Sequence, residues 1–176
     1  MTQSVELLLD EPSDRAVRHQ WDLLAEVGLP TERRSGTGPG SEHHGPHITV
    51  YAAESIPEGA DRMLPQLVAD LDLELQVGAL TLFGPRHGTV VVVRQVLATE
   101  ALLTLHRRVG ALCQADPQGH FAPGRWSPHV TLAHRVPVDL IGAVVAALGP
   151  SAAAPLPARV TRCRRWDGST KTAWLL

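Results

Sequence analysis

The chain has 176 residues, of which 44% are hydrophobic and 19% charged, and its formal net charge is −2. That composition suits one ordinary globular domain, or one domain of two similar lobes, and excludes a disordered or collagen-like chain. The charge argues against a protein that coats itself non-specifically in nucleic-acid backbone, so a nucleic-acid substrate must be read by a local basic patch or be small.

The elements alternate irregularly along the chain. Residues 4–10 (SVELLLD) form a short apolar run ending in a turn signal, which predicts a strand. In residues 12–28, Val17, Trp21, Leu24 and Val27 recur at helical spacing and Gly28 ends the pattern, which predicts a helix. Residues 31–46 are rich in Gly, Pro and charge and predict a loop; residues 47–53 (HITVYAA) predict a strand. A helix follows over 58–71, with Pro65 implying a kink. Residues 73–83 predict a strand bulged at Gly78, 84–88 (GPRHG) a turn, and the β-branched run 89–97 a second strand. Residues 99–113 predict a helix capped by Thr99, and 115–128 a second Pro/Gly loop. A strand over 129–135, a helix over 138–148 and two strands over 155–166 and 171–176 complete the chain. Helices and strands intersperse without a βαβ rhythm, so the fold class is α+β rather than doubly wound α/β.

No apolar run reaches the length of a membrane span, and the N-terminus carries no basic stretch before an apolar core. Cys113 and Cys163 are isolated and read as reduced thiols of a cytoplasmic protein. These features predict a monomer with no membrane association and no obligate protein partner.

Two segments share one pattern: Gly45-Pro46-His47-Ile48-Thr49-Val50 and Ser127-Pro128-His129-Val130-Thr131-Leu132. Each is small–Pro–His–apolar–Thr–apolar, each follows a Gly/Pro loop, and each opens a predicted strand; the histidines stand 82 residues apart. Residues i and i+2 of a strand point to one face. His47 and Thr49 therefore share a face, as do His129 and Thr131, while Ile48, Val50, Val130 and Leu132 face a core. With the two strands set about a pseudo-two-fold axis, two imidazoles and two hydroxyls would converge on one groove. Such a set suits phosphodiester cleavage: a neutral histidine takes a proton, a protonated one gives a proton, and the hydroxyls donate to phosphate oxygens. No metal is required.

These paired H-x-T motifs resemble those of the 2H phosphoesterase superfamily, in its 2′–5′ RNA ligase-like and RNA 2′,3′-cyclic phosphodiesterase branch. The resemblance implies a bilobal pseudo-two-fold fold, two mainly antiparallel sheets lining a central cleft with helices outside. It also implies His47 and His129 as catalytic residues and Thr49 and Thr131 as phosphate contacts. The expected activity is metal-independent hydrolysis of a 2′,3′-cyclic phosphate on an RNA end or nucleotide, with no cofactor, in RNA processing. Reversible 2′–5′ ligation is a family activity that the sequence does not separate from hydrolysis. Two rival readings share the scaffold: a non-catalytic module for RNA ends or nucleotides, and a cyclic phosphodiesterase for a non-RNA molecule such as an ADP-ribose cyclic phosphate. Many members follow the second motif with a basic residue; here the run is Leu132-Ala133-His134-Arg135, so that residue is either displaced by one position to Arg135 or replaced by His134.

Further candidates surround the motifs. Arg125 and Trp126 precede the second one and read either as a phosphate-binding arginine with a stacking platform or as a solvated arginine with an interface plug. Phe121 and Tyr51 are further stacking candidates, Tyr51 because a regular strand would turn it to the cleft with Thr49. His43, His44 and His47 fit no standard zinc spacing. Arg33 and Arg34 read as a solvated pair. Trp21, Trp166 and Trp174 read as packing residues, and Arg162 with Arg164 share one strand face, read as solvated in preference to a wall of the groove.

Overall fold

The computed structural model describes residues 2–32, 45–69, 73–114 and 119–176. Along them run β1 (Gln3–Leu9), α1 (Glu11–Glu26), β2 (His47–Ala53), α2 (Leu64–Ala69), β3 (Glu74–Arg86) and β4 (Thr89–Val96). Then follow α3 (Glu100–Cys113), β5 (His129–Pro137), α4 (Ile141–Leu148), β6 (Leu156–Asp167) and β7 (Thr172–Leu175). The fold is α+β. Every strand pairing is antiparallel, in the order β2-β1-β6-β3-β4-β5, with β7 on β6.

The long strand β6 joins two sheets. Its first residues, Leu156–Arg159, pair with β3, and the rest, from Val160 to Asp167, pair with β1. The order therefore ends on β2 at one side and β5 at the other. Those two end strands nevertheless come into contact, so the structure folds back and brings its extremities together. The helices cross over as they cover it. α1, which follows β1, packs on β5, β6 and α4; α3, which follows β4, packs on β2 and α2.

Side-chain periodicity explains this packing. Ile48 and Val50 of β2, and Val130 and Leu132 of β5, are fully buried. On α1, Val17, Trp21 and Leu24 form the buried stripe, and on α3 Leu102, Leu105 and Val109 do the same. Each such side chain contributes about 1.5–3 kcal/mol when removed from water. Thr99 caps α3 by accepting from the Leu102 N–H at 3.2 Å, and α1 ends before Gly28 at φ 72°. Cys113 and Cys163 are free and buried, and burial pushes both thiols up to about 11. No helix among the described residues is long and apolar enough to cross a membrane.

Three local expectations are corrected. The helix anticipated over 58–71 is a 3₁₀ turn at Glu58–Arg62 followed by α2, so Pro65 stands in the first turn of a new helix, where its missing N–H costs nothing. The turn anticipated over 84–88 is tighter: the ladder runs on to Arg86 opposite Thr89, leaving His87 and Gly88 as the turn. Both have positive φ, 50° and 74°, which matches the right-handed twist of a two-residue hairpin. Finally, Tyr51 does not face the cleft. The β1–β2 register shifts so that Val5 opposes Tyr51 while Glu6 opposes Thr49, which leaves Val50 as an extra residue. This bulge turns Tyr51 to the core side with Val5, at 2% exposure, and its ring packs near Gly110 of α3. The bulge anticipated at Gly78 is present between Val77 and Leu80.

Candidate functional site

His47 opens β2 and His129 opens β5, the two strands that meet at the ends of the sheet order. Both are half-buried, as are Thr49 and Thr131, while the residues between them are fully buried. The two threonine hydroxyls make no hydrogen bond within the described residues.

The two motifs hold their histidines in one and the same manner. His47 Nδ1 lies 2.9 Å from the carbonyl oxygen of Gly45, and His129 Nδ1 lies 2.8 Å from that of Ser127. A carbonyl only accepts, so each Nδ1 carries a hydrogen and donates it. The remaining nitrogen, Nε2, is left to exchange protons. The proline between acceptor and ring restricts the preceding residue to extended backbone, which sets up this i−2 contact in both copies. The small residue has a use as well: a Cβ at Gly45 would come within 2.6 Å of the Arg18 guanidinium.

Beneath His47 lies a buried ion pair. Glu6 is 5% exposed, opposes Thr49 on one side and Arg164 on the other, and accepts from Arg164 Nε at 2.6 Å and Ser4 Oγ at 2.9 Å. Its Oε1 stands 3.7 Å from His47 Nε2. Burial by itself would raise the Glu6 carboxyl; the charges of His47 and Arg164 outweigh it and hold the group below the usual carboxylate range. Arg164 Nη2 also comes within 3.3 Å of His47 Nδ1, but that nitrogen has no lone pair to offer once it donates to Gly45, so the approach is a packing contact. Arg164 is therefore no part of a solvated face; its strand neighbour Arg162 is the exposed one. A cavity of about 610 Å³ opens on this side, with Leu8, Gly45, Pro46, Arg162 and Arg164 among its lining residues.

His129 has a different setting. The ring of Phe83 meets it edge-on, with centroids 4.8 Å apart. Burial lowers its proton affinity, the Ser127 carbonyl partly opposes this, and the charges of His120, His47 and His134 lower it further. His47 is thus close enough for its charge to be felt at His129. One imidazole sits over a carboxylate and the other against an aromatic edge, so the two are chemically inequivalent.

Other candidates fall in and out of the site. Trp126 is turned inward at 9% exposure: its indole N–H donates to the Thr49 carbonyl at 3.1 Å and its ring stacks on His106, centroids 4.4 Å apart. It is a plug behind β2, not a platform. Trp21 has the corresponding place behind β5, donating to the Thr131 carbonyl at 3.0 Å. Arg125 is exposed and Phe121 half-buried. His134 is exposed and pairs with Glu32 at 3.0 Å, an interaction that raises its proton affinity. Arg33, Arg34, His43 and His44 lie outside the described residues. Among the described residues no group of three His, Cys, Asp or Glu side chains is arranged to hold a metal.

Glu6, Arg164 and Phe83 were not among the site residues read from sequence. A lone acid inside the apolar run Val5-Glu6-Leu7-Leu8-Leu9 is the one signal that pointed to a buried partner. Arg164 and Phe83 become visible only with the strand register.

The sequence matches the model of the 2′-5′ RNA ligase superfamily over residues 13–171. No curated protein matches it. Among solved structures, TT0787 of Thermus thermophilus is similar with a TM-score of 0.58 and 18% identity, covering 100% of this chain and 95% of that one. Usb1 of Kluyveromyces marxianus, solved with uridine monophosphate, gives 0.50 and 11% identity over 99% of this chain and 97% of its own. A structure described as a phosphoesterase gives 0.50 and 12% over 99% and 95%. At these identities the likeness to solved structures is one of fold.

Proposed function

The chain belongs to the 2′-5′ RNA ligase superfamily, and from that premise we propose that it hydrolyses a 2′,3′-cyclic phosphate, on a nucleotide or an RNA end, by two-histidine acid–base catalysis. The observation that carries this reading is the matched pair of imidazoles. Each is tied through Nδ1 to the carbonyl two residues earlier, on strands that meet from opposite ends of the sheet.

The difference between the two settings supports a division of labour. His129, whose proton affinity is lowered by burial, takes the proton of the attacking water through Nε2. His47, over the Glu6 carboxylate, gives the proton on its Nε2 to the departing ribose oxygen. Water's oxygen bonds to phosphorus, one ribose–oxygen bond to phosphorus breaks, and a monoester is left. Thr49 and Thr131 donate their hydroxyls to the non-bridging oxygens, where charge develops. With a ribose 5′-hydroxyl in place of water, the same step opens the cyclic phosphate to a 2′–5′ diester and frees the 3′-oxygen, which is ligation.

The test is turnover of 2′,3′-cyclic nucleotides by purified protein in EDTA. Each general acid or base is worth about 10² to 10⁴ in rate, so His47→Ala and His129→Ala should each lower kcat by at least about 100-fold. Undiminished turnover in either variant rejects the mechanism. The net charge of −2 favours a second reading, a cyclic phosphate on a small non-RNA molecule, which substrate competition separates from the first.

A further inference from the structure

Helix α3 covers β2 and packs beside α2, and a groove of about 510 Å³ opens between the two helices. It shares no lining residue with the cavity near His47, and none of its residues belongs to a motif strand. Its apolar lining comes from side chains that the core does not use. On α3 the buried stripe is Leu102, Leu105, Val109 and Cys113; Ala111 and Leu112 fall outside it and face the groove. On α2 the buried residues are Leu64 and Val68. Leu67 stands beside them half-buried, and Met63, just before the helix, is 57% exposed.

Two guanidinium groups supply the charge of this groove. Arg62 ends the 3₁₀ turn next to Met63. Arg108 precedes Ala111 and Leu112 by one helical turn, so the cation and the apolar pair share a face of α3. Both arginines are exposed, and neither makes an ion pair or hydrogen bond among the described residues. Their charged neighbours are engaged elsewhere: Asp61 pairs with Arg165, and Arg107 with Glu100 at 3.0 Å. No acid and no aromatic ring lines the groove. A concave, mostly apolar surface of about 300 to 1,000 Å³ with a few orienting polar groups is the form of a small-molecule site. Unpaired guanidinium groups select an anionic head, and a carboxylate matches their planar fork. The absence of a stacking ring disfavours a nucleobase, whereas leucines and a pliable methionine suit an aliphatic chain.

We propose that the α2–α3 groove binds an aliphatic carboxylate, its chain laid against Met63, Leu67, Ala111 and Leu112 and its head group held by Arg62 and Arg108. The inference is independent of the phosphoesterase reading, since none of these residues takes part in that mechanism.

Met1 and Met63 are the only methionines, so protein with isotope-labelled methionine methyl groups reports the groove through one resonance, assigned with Met63→Leu. The titrants are decanoate and decylammonium at low salt, each below its aggregation concentration: one chain with opposite head charges. Decanoate should move the Met63 resonance saturably and bind at least about tenfold more tightly than decylammonium, the worth of one charge-assisted contact. In the doubly substituted protein, Arg62→Gln with Arg108→Gln, that ratio should collapse toward one. Both arginines are exposed and unpaired, so the fold survives their replacement, and an unchanged Met63 resonance without ligand checks this. No saturable shift with decanoate, a ratio near one in the parent protein, or one that persists in the substituted protein overturns the site. A Met63 shift that grows with protein concentration alone assigns the groove to a second copy of the chain. A shift produced by a helical peptide of leucines and glutamates, but not by decanoate, assigns it to a protein partner. Either result overturns the proposal.

Discussion

The indole N–H of Trp126 donates to the main-chain carbonyl of Thr49, 3.1 Å away and 77 residues distant in sequence. Trp21 does the same for Thr131 at 3.0 Å. Each motif strand is thus fastened at its threonine by a tryptophan from the other half of the chain, one carried on α1 and the other on the loop entering the second motif. The two histidine strands are edge strands of the sheet order, and these bonds tie them down from behind.

Trp126→Phe should retain the ring on His106 and lose the donor. The Thr49 carbonyl then lacks that partner in a buried setting, at a cost of about 1–3 kcal/mol. Because an error of about 1 Å in a reacting group can lower the rate by about 100-fold, kcat should fall while KM changes little. Steady-state kinetics and a denaturant titration on Trp21→Phe, Trp126→Phe and the parent check this. A loss of stability with kcat intact would reduce both tryptophans to ordinary packing.

How much of this arrangement was legible in the sequence depends on how local each feature is. The motif faces, the Thr99 cap, the Gly28 stop and the bulge at Gly78 follow from spacing and residue type within a few positions, and all are present. Tyr51 was misread because one extra residue, Val50, reverses the strand face, and nothing local in HITVYAA announces it. Trp126 was open between platform and plug because its burial depends on α3, which is remote in sequence. Arg164 looked like part of a basic surface run until β1 supplied Glu6 opposite it. Long-range register is the common missing quantity.

The acid limb of the kcat/KM profile should lie below the ordinary histidine value of about 6.5, since burial and neighbouring cations favour the neutral form of His129. Glu6→Gln removes the carboxylate 3.7 Å from His47 Nε2 and should lower kcat while leaving that acid limb in place. Rates and pH profiles of the parent and Glu6→Gln are the measurement; an unchanged kcat rejects Glu6 as a group that serves the proton-donating imidazole. The substitution also unbalances Arg164, so a stability loss approaching about 3–5 kcal/mol is expected with it.

Stability itself should fall on mild acidification. His106 is buried against Trp126 and donates through Nε2 to the Phe121 carbonyl at 2.8 Å; burial lowers its proton affinity, as it does for His129. The unfolded chain therefore binds more protons than the folded one once pH drops below about 6.5. The contribution is complete above that value and is lost as pH falls through the depressed folded values. Urea midpoints at neutral and mildly acidic pH should show the decline, and His106→Gln should make it shallower. Equal slopes in parent and variant would assign the acid sensitivity elsewhere.

Arg94 provides a structural test remote from the imidazoles. It is 1% exposed and donates to three main-chain carbonyls: Gly78 at 2.5 Å, Ser151 at 2.8 Å and Ala154 at 2.6 Å. The first belongs to the bulge of β3, and the other two to the segment between α4 and β6, so one guanidinium joins the sheet to that segment. Arg94 also lies between Val93, which opposes Thr131, and Gln95, which opposes His129. Arg94→Met preserves the aliphatic stem but strands those acceptors, each unmade bond costing about 1–3 kcal/mol. For a chain of this size about 1 kcal/mol lowers Tm by roughly 2–4 °C, so a loss on the order of 10 °C is expected. Arg94→Lys should recover only a fraction, because an ammonium is a point donor and lacks the planar fork that reaches three separated carbonyls. If Lys restores Tm fully, the charge rather than the fork holds the bulge, and the geometry around His129 owes nothing to the guanidinium.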